Sequence, residues 1–176
     1  MIDRSSTAGP SARDRLAFAL DFSSLEEARR AAERVAPEVS VLKVGLELFV
    51  HEGPRAAQLG RDLGRDVFLD LKLHDIPETV ERAVAGAAAL GVRYLTVHAA
   101  GGARMLAGAA AAAARAPAPL TLLAVTVLTS LDAADLEAQG IAGAPWEHAI
   151  RLAKTAWAAG VRGFVCSAAE VRAMRA

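Results

Sequence analysis

The sequence predicts an α/β fold of the (β/α)8 barrel class, with six strand–helix units in the chain. Two observations carry that expectation. Short β-rich apolar runs recur at residues 16–20, 41–44, 67–71, 94–97, 120–125 and 163–165. The first four lie roughly 25 residues apart, the span of a strand, a helix and two short loops. The second observation is where the polar residues fall. Asp21, Lys43, the Asp70 and Lys72 pair, His98, and Thr126 with Thr129 sit at or just past the C-terminal ends of successive runs. In a barrel these ends converge on one mouth. An open doubly wound sheet instead gathers its site at one switch point behind a glycine-rich first turn. Here that turn reads Asp21-Phe22-Ser23-Ser24, without glycine.

Each element has its local reason. Residues 1–15 are polar, contain Ser, Pro and Gly and have no apolar signal core, so they read as a disordered leader before a barrel domain over 16–176. After the first strand, Ser24 and Glu27 have the spacing of a capping box. Pro77 stands at a first helical position, and Gly91 and Gly160 stand where helices end. The alanines of 109–114 are strong helix formers and read as a helix face, not a linker. The sequence stops in the helix after the sixth strand, whereas a whole barrel has eight strands and about 250 residues. The chain therefore reads as a barrel truncated at its C-terminus, with two unpaired sheet edges.

Composition narrows the function. Twenty basic and twenty acidic residues cancel, which gives no electrostatic footprint for nucleic acid or an anionic membrane. The apolar runs are too short to span a bilayer. One cysteine, Cys166, cannot form an internal disulfide, which fits a reducing cytoplasm.

The densest chemistry lies at Asp70-Leu71-Lys72-Leu73-His74-Asp75-Ile76-Pro77-Glu78-Thr79. Alternation along a strand places Asp70 and Lys72 on one face. Charges carried to the mouth of a buried strand are costly unless paired or used for chemistry. A structural ion-pair network is the competing explanation. His98 reads as a structural hydrogen-bonding residue, His74 as a residue without an evident partner, and Cys166 as an inert thiol in an apolar strand. A metal at Asp70, Asp75 and His98 is disfavoured by the lysine among them.

With Leu16-Ala17-Phe18-Ala19-Leu20-Asp21, Leu42-Lys43-Val44-Gly45, Thr96-Val97-His98, Val125-Thr126-Val127-Leu128-Thr129-Ser130 and Gly163-Phe164-Val165-Cys166-Ser167, that ten-residue stretch resembles the orotidine 5′-phosphate decarboxylases. The resemblance implies cofactor-free and metal-free decarboxylation of orotidine 5′-phosphate to UMP. Lys72 is then the proton donor to C6, Asp70 and Asp75 are the other catalytic residues, and Asp21, Lys43, Ile76, Thr79 and Thr129 are substrate-binding. It also implies a cytoplasmic homodimer in which Asp75 enters the neighbouring subunit's site. The family's phosphate-gripping loop and arginine belong to the seventh and eighth units, so activity of the 176-residue form is expected to be impaired. Two alternatives stay open. One is a non-catalytic barrel remnant that only self-associates. The other is a magnesium-dependent sugar-phosphate decarboxylase of the same superfamily, although such enzymes resemble one another in having glutamate where this chain has Lys43.

Overall fold

The structure is a computed structural model that describes residues 9 and 11–175. Six strands lie in one sheet in sequence order, β1 to β6, as a strand–helix repeat requires. Two compact units divide the chain, the first ending at Leu69 and the second starting at Asp70.

The first unit contains β1 (Ala17–Ala19), α1 (Leu25–Val35), β2 (Val41–Gly45), α2 (Leu46–Glu52), α3 (Pro54–Asp62) and the start of β3 (Asp66–Leu73). β1 and β2 pair in parallel, with Ala17 against Val41 and Ala19 against Lys43. Leu42 and Val44 are fully buried, as are Leu20, Ala28, Ala32, Leu48 and Leu59. The buried residues of α1 are the small Ala28 and Ala32, and α3 approaches β3 closely. A Cβ at Gly60 would stand 2.3 Å from Val67 Cγ2, so glycine is what the approach of α3 to β3 permits. Gly53, at φ 59°, separates α2 from α3 in a conformation that suits glycine.

The expected capping box at α1 is half made. Ser24 Oγ accepts the Glu27 amide at 3.3 Å, but Glu27 takes the Ser24 hydroxyl at 3.2 Å. Glu52, closing α2, accepts the Leu25 amide at 3.1 Å and so satisfies another donor at the helix start. The expected leader over 1–15 falls largely outside the described residues. Its last part departs from that expectation, because Arg13–Arg15 form a 3-10 turn. Asp14 there accepts Ser11 Oγ at 2.8 Å and Ser40 Oγ at 3.0 Å. These hydrogen bonds hold its carboxyl below the usual range, led by the one from the Ser11 side chain.

The second unit carries the rest of β3, then α4 (Pro77–Ala89), β4 (Tyr94–His98), α5 (Gly102–Ala114), β5 (Thr121–Val125), α6 (Ala133–Ala138), α7 (Pro145–Ala158), β6 (Gly163–Val165) and α8 (Val171–Arg175). β4 pairs with β5 and β5 with β6, all parallel. Pro77 opens α4, where its missing N–H is no loss. Gly91 follows α4 at φ 72° and Gly160 follows α7 at φ 99°. The alanine run lies inside α5, as the composition predicts, with Met105, Leu106 and Ala109 fully buried. Val80 and Val84 of α4 and Leu95 and Val97 of β4 complete this core. No helix among the described residues is long and apolar enough to cross a membrane.

Candidate active site

In the first unit the chain leaves β1 through Leu20 and at once presents Asp21. Lys43 stands at the middle of β2, two residues before its end, on the strand that pairs with β1. Its Nζ lies 3.2 Å from Asp21 Oδ1. Lys43 is three-quarters buried while Asp21 is well exposed, so the pair has one foot in water. Gly45 keeps the space beside it open, since a Cβ there would come within 3.2 Å of Asp21 Oδ1 and 3.6 Å of Lys43 Nζ.

The second unit holds the other charges. Lys72 Nζ is 2.9 Å from Asp70 Oδ2, and the carboxylate is only 14% exposed. Alternation on a strand puts both side chains on one face, and the structure does bring them together. The backbone does so irregularly, because Lys72 has φ 50° and is the described non-glycine residue in the left-handed region. For an L-residue that conformation costs about 1–2 kcal/mol and persists where surrounding contacts compensate it.

The compensating contact is Thr96, a residue outside the expected site. It sits mid-way along β4 and is fully buried. Its Oγ1 accepts the Lys72 backbone N–H at 2.8 Å and donates to Asp70 Oδ1 at 2.9 Å. A threonine in an apolar strand could have drawn attention, because a buried hydroxyl needs partners.

His98 ends β4, and its Nδ1 accepts the Ala100 amide at 3.4 Å, which fits the structural role expected of it. His74 does have a partner, against expectation. Its ring stacks on His98 with centroids 5.2 Å apart and planes 24° from parallel. Burial first, then the charges of His74 and Lys72, lower the His98 pKa and favour a neutral imidazole.

The remaining expected residues follow β3 and β5 in the chain. Asp75 is exposed on the turn after β3, where its Oδ1 accepts the Ile76 amide at 2.6 Å. Ile76 is 65% exposed, unusual for an isoleucine, and Thr79 is half-buried in the first turn of α4. Thr129 is exposed in a turn beyond β5. Thr126 is fully buried and structural, donating its hydroxyl to the Val165 carbonyl at 3.2 Å. Cys166 lies just past β6, not within it, and burial raises its thiol pKa, with Glu170 adding to the effect.

Chemically, the second unit offers an ammonium held against a carboxylate at a strand end. Such a group can stabilise developing negative charge and give up a proton.

A solved structure of orotidine 5′-phosphate decarboxylase from Lactobacillus acidophilus superposes with a TM-score of 0.84 at 34% identity, covering 93% of this chain and 75% of that one. The fold is thus a partial (β/α)8 barrel. The profile of the orotidine 5′-phosphate decarboxylase / HUMPS family matches residues 14–176, and the chain belongs to that family. Among its relatives, the orotidine 5′-phosphate decarboxylase of Anaeromyxobacter sp. (strain K) is 57% identical over 93% of this chain and 70% of its own length. The enzyme of the same name from Sodalis glossinidius is 48% identical over 89% of this chain and 63% of its own length.

Proposed function

We propose that this chain carries the chemistry that decarboxylates orotidine 5′-phosphate to UMP in pyrimidine biosynthesis, without metal or organic cofactor. The observation that supports it most is the Lys72 ammonium held 2.9 Å from Asp70 at the end of β3. Losing CO₂ from C6 of the pyrimidine breaks the C6–carboxylate bond and leaves its electron pair on C6. Ring resonance cannot accept that pair, because its orbital lies in the ring plane. A fixed cation beside C6 lowers the energy of the developing carbanion without reorganising during the reaction. Lys72 supplies that charge, then transfers a proton from Nζ to C6 and regains one from water. Asp70 orients the ammonium through the hydrogen bond it accepts from Nζ.

Asp21 and Lys43 serve as ligands for the ribose hydroxyls, and Thr129 for the pyrimidine side. Asp75, Ile76 and Thr79 work across a homodimer interface, a role supported by the exposure of Asp75 and of the apolar Ile76. The relatives' additional length holds the phosphate in this reading, so the 176-residue polypeptide binds UMP weakly and turns over little.

The test uses a chimera in which the C-terminal part of the Anaeromyxobacter relative follows residue 176. The chimera is expected to release CO₂ from orotidine 5′-phosphate. Lys72→Ala should lower its turnover by about 10³-fold or more while UMP still binds. Asp75→Asn should also be inactive, and mixing the two inactive chains should restore turnover. Near-normal turnover by Lys72→Ala refutes the proton-donor role, and failure of the mixed chains to recover after subunit exchange refutes the shared site.

A further inference from the structure

We propose that Thr96 is the positioning residue that holds Lys72 in its working geometry, an inference that rests on reading Lys72 as the proton donor. A closed circuit of hydrogen bonds supports it. The Lys72 amide donates to Thr96 Oγ1, that hydroxyl donates to Asp70 Oδ1, and Asp70 Oδ2 accepts from Lys72 Nζ. The circuit leaves Lys72 by its backbone and returns through its side chain. One hydroxyl thereby fixes both the carboxylate that orients the ammonium and the peptide unit from which the ammonium hangs.

Direction matters in this circuit. An ionised carboxylate only accepts, so the Thr96 proton must go to Asp70 and the oxygen lone pair must take the amide. A β-branched residue on a strand has restricted χ1 freedom, so Thr96 meets both partners without a large entropic cost. Neither interaction survives replacement by an apolar side chain of the same shape. With the hydroxyl gone, the left-handed backbone at Lys72 loses the contact that compensates it. Asp70 then loses the hydroxyl that fixes the orientation of its carboxylate toward Nζ. Thr96 does not touch the reacting atoms in this scheme. It acts through Lys72 and Asp70.

The experiment compares wild type, Thr96→Val and Thr96→Ser in the 176-residue chain. The chain has lysines only at 43, 72 and 154, so lysine-selective 15N labelling isolates both the amide and the ammonium of Lys72. Thr96→Val is expected to speed hydrogen exchange at the Lys72 amide by about tenfold or more and to move its ammonium resonance. Thr96→Ser is expected to restore both. In the chimera that carries the relative's C-terminal part, single-turnover decarboxylation with protein in excess over substrate should slow by about 100-fold in Thr96→Val with substrate affinity within about threefold, and Thr96→Ser should recover most of the loss. Unchanged Lys72 signals in folded Thr96→Val overturn the inference, as does a serine variant as perturbed as the valine one. If valine does not fold, the serine variant alone decides, since retention of the wild-type Lys72 signals upholds the circuit and their loss overturns it. The spectroscopic readout needs no turnover. A chimera that fails to decarboxylate therefore counts against the proposed function, while the signals from the 176-residue chain still judge Thr96.

Discussion

A neutral imidazole is what the surroundings of His98 favour. Half-burial, the stacked His74 ring and the nearby Lys72 charge all oppose a proton there, and Nδ1 is already an acceptor for the Ala100 amide. In the unfolded chain the group returns to its ordinary value of 6.5, so between that value and the lower folded one the unfolded state binds more protons. Stability therefore rises with pH through this interval and is lost as pH falls below 6.5. Thermal melting followed from about pH 8 to about pH 5 should show Tm falling on the acid side. His98→Asn, which keeps an acceptor for the Ala100 amide, should reduce that slope. An unchanged slope would show that other groups control it. At this scale sequence reasoning found Asp70 and Lys72 because charges at the end of a buried strand are conspicuous. It passed over Thr96 because threonine is an ordinary strand residue whose hydroxyl partners lie on another strand. The left-handed φ of Lys72 was hidden for a different reason. Regular alternation already predicted the same pair of neighbours.

Elements were more legible than their ends. All six strands were anticipated near their observed positions, because apolar runs followed by helical stretches leave few other solutions. β3 extends beyond its apolar run to Asp66, whose side chain is exposed while its amide bonds to the Ser40 carbonyl at 3.0 Å. Such backbone pairing leaves no mark on composition. α6 shows how much a cap matters to a short helix. Asp132 accepts the amides of Ala134 at 2.8 Å and Asp135 at 2.9 Å, and Asp135 accepts the Asp132 amide at 3.1 Å. With only six residues, this helix has little propagation to offset its nucleation cost. Asp132→Ala should therefore weaken it by about 1 kcal/mol. Hydrogen exchange at residues 133–138 should accelerate several-fold, with little change at β4 or α5. Unaltered exchange would show that packing of Leu136, not the cap, holds the helix.

For the molecule as a whole, the relation between chain length and activity is the testable point. The chain spans 70% of its Anaeromyxobacter relative. β1 and β6 stand at the two ends of the strand order. Beside β6, a hollow lined by Ile150, Trp157, Phe164 and Met174 leaves Trp157 54% exposed. Binding energy from a substrate's remote phosphate is used to position and stabilise its reacting centre. The 176-residue polypeptide is thus expected to show both weaker UMP binding and a lower decarboxylation rate than the chimera with the relative's C-terminal part. Calorimetry and CO₂ release measure the two effects. Equal kcat/KM in both proteins would mean that the phosphate contributes nothing through the added region. The strand order was readable from the repeat alone, but the exposure of Trp157 was not. Whether an aromatic residue on a helix faces core or solvent depends on which neighbour packs against it.

The hydroxyl that fixes Lys72 lies 24 residues downstream of it. At ribosomal rates of about 5–20 residues per second, β3 waits about 1–5 s before Thr96 is even synthesised. During that interval the peptide at Lys72 has nothing to hold it in the left-handed region, and the extended conformation is the more stable one. Lys72 is therefore made before it can be aimed. Its final setting belongs to the closure of β4 onto β3, a step of folding and not of translation.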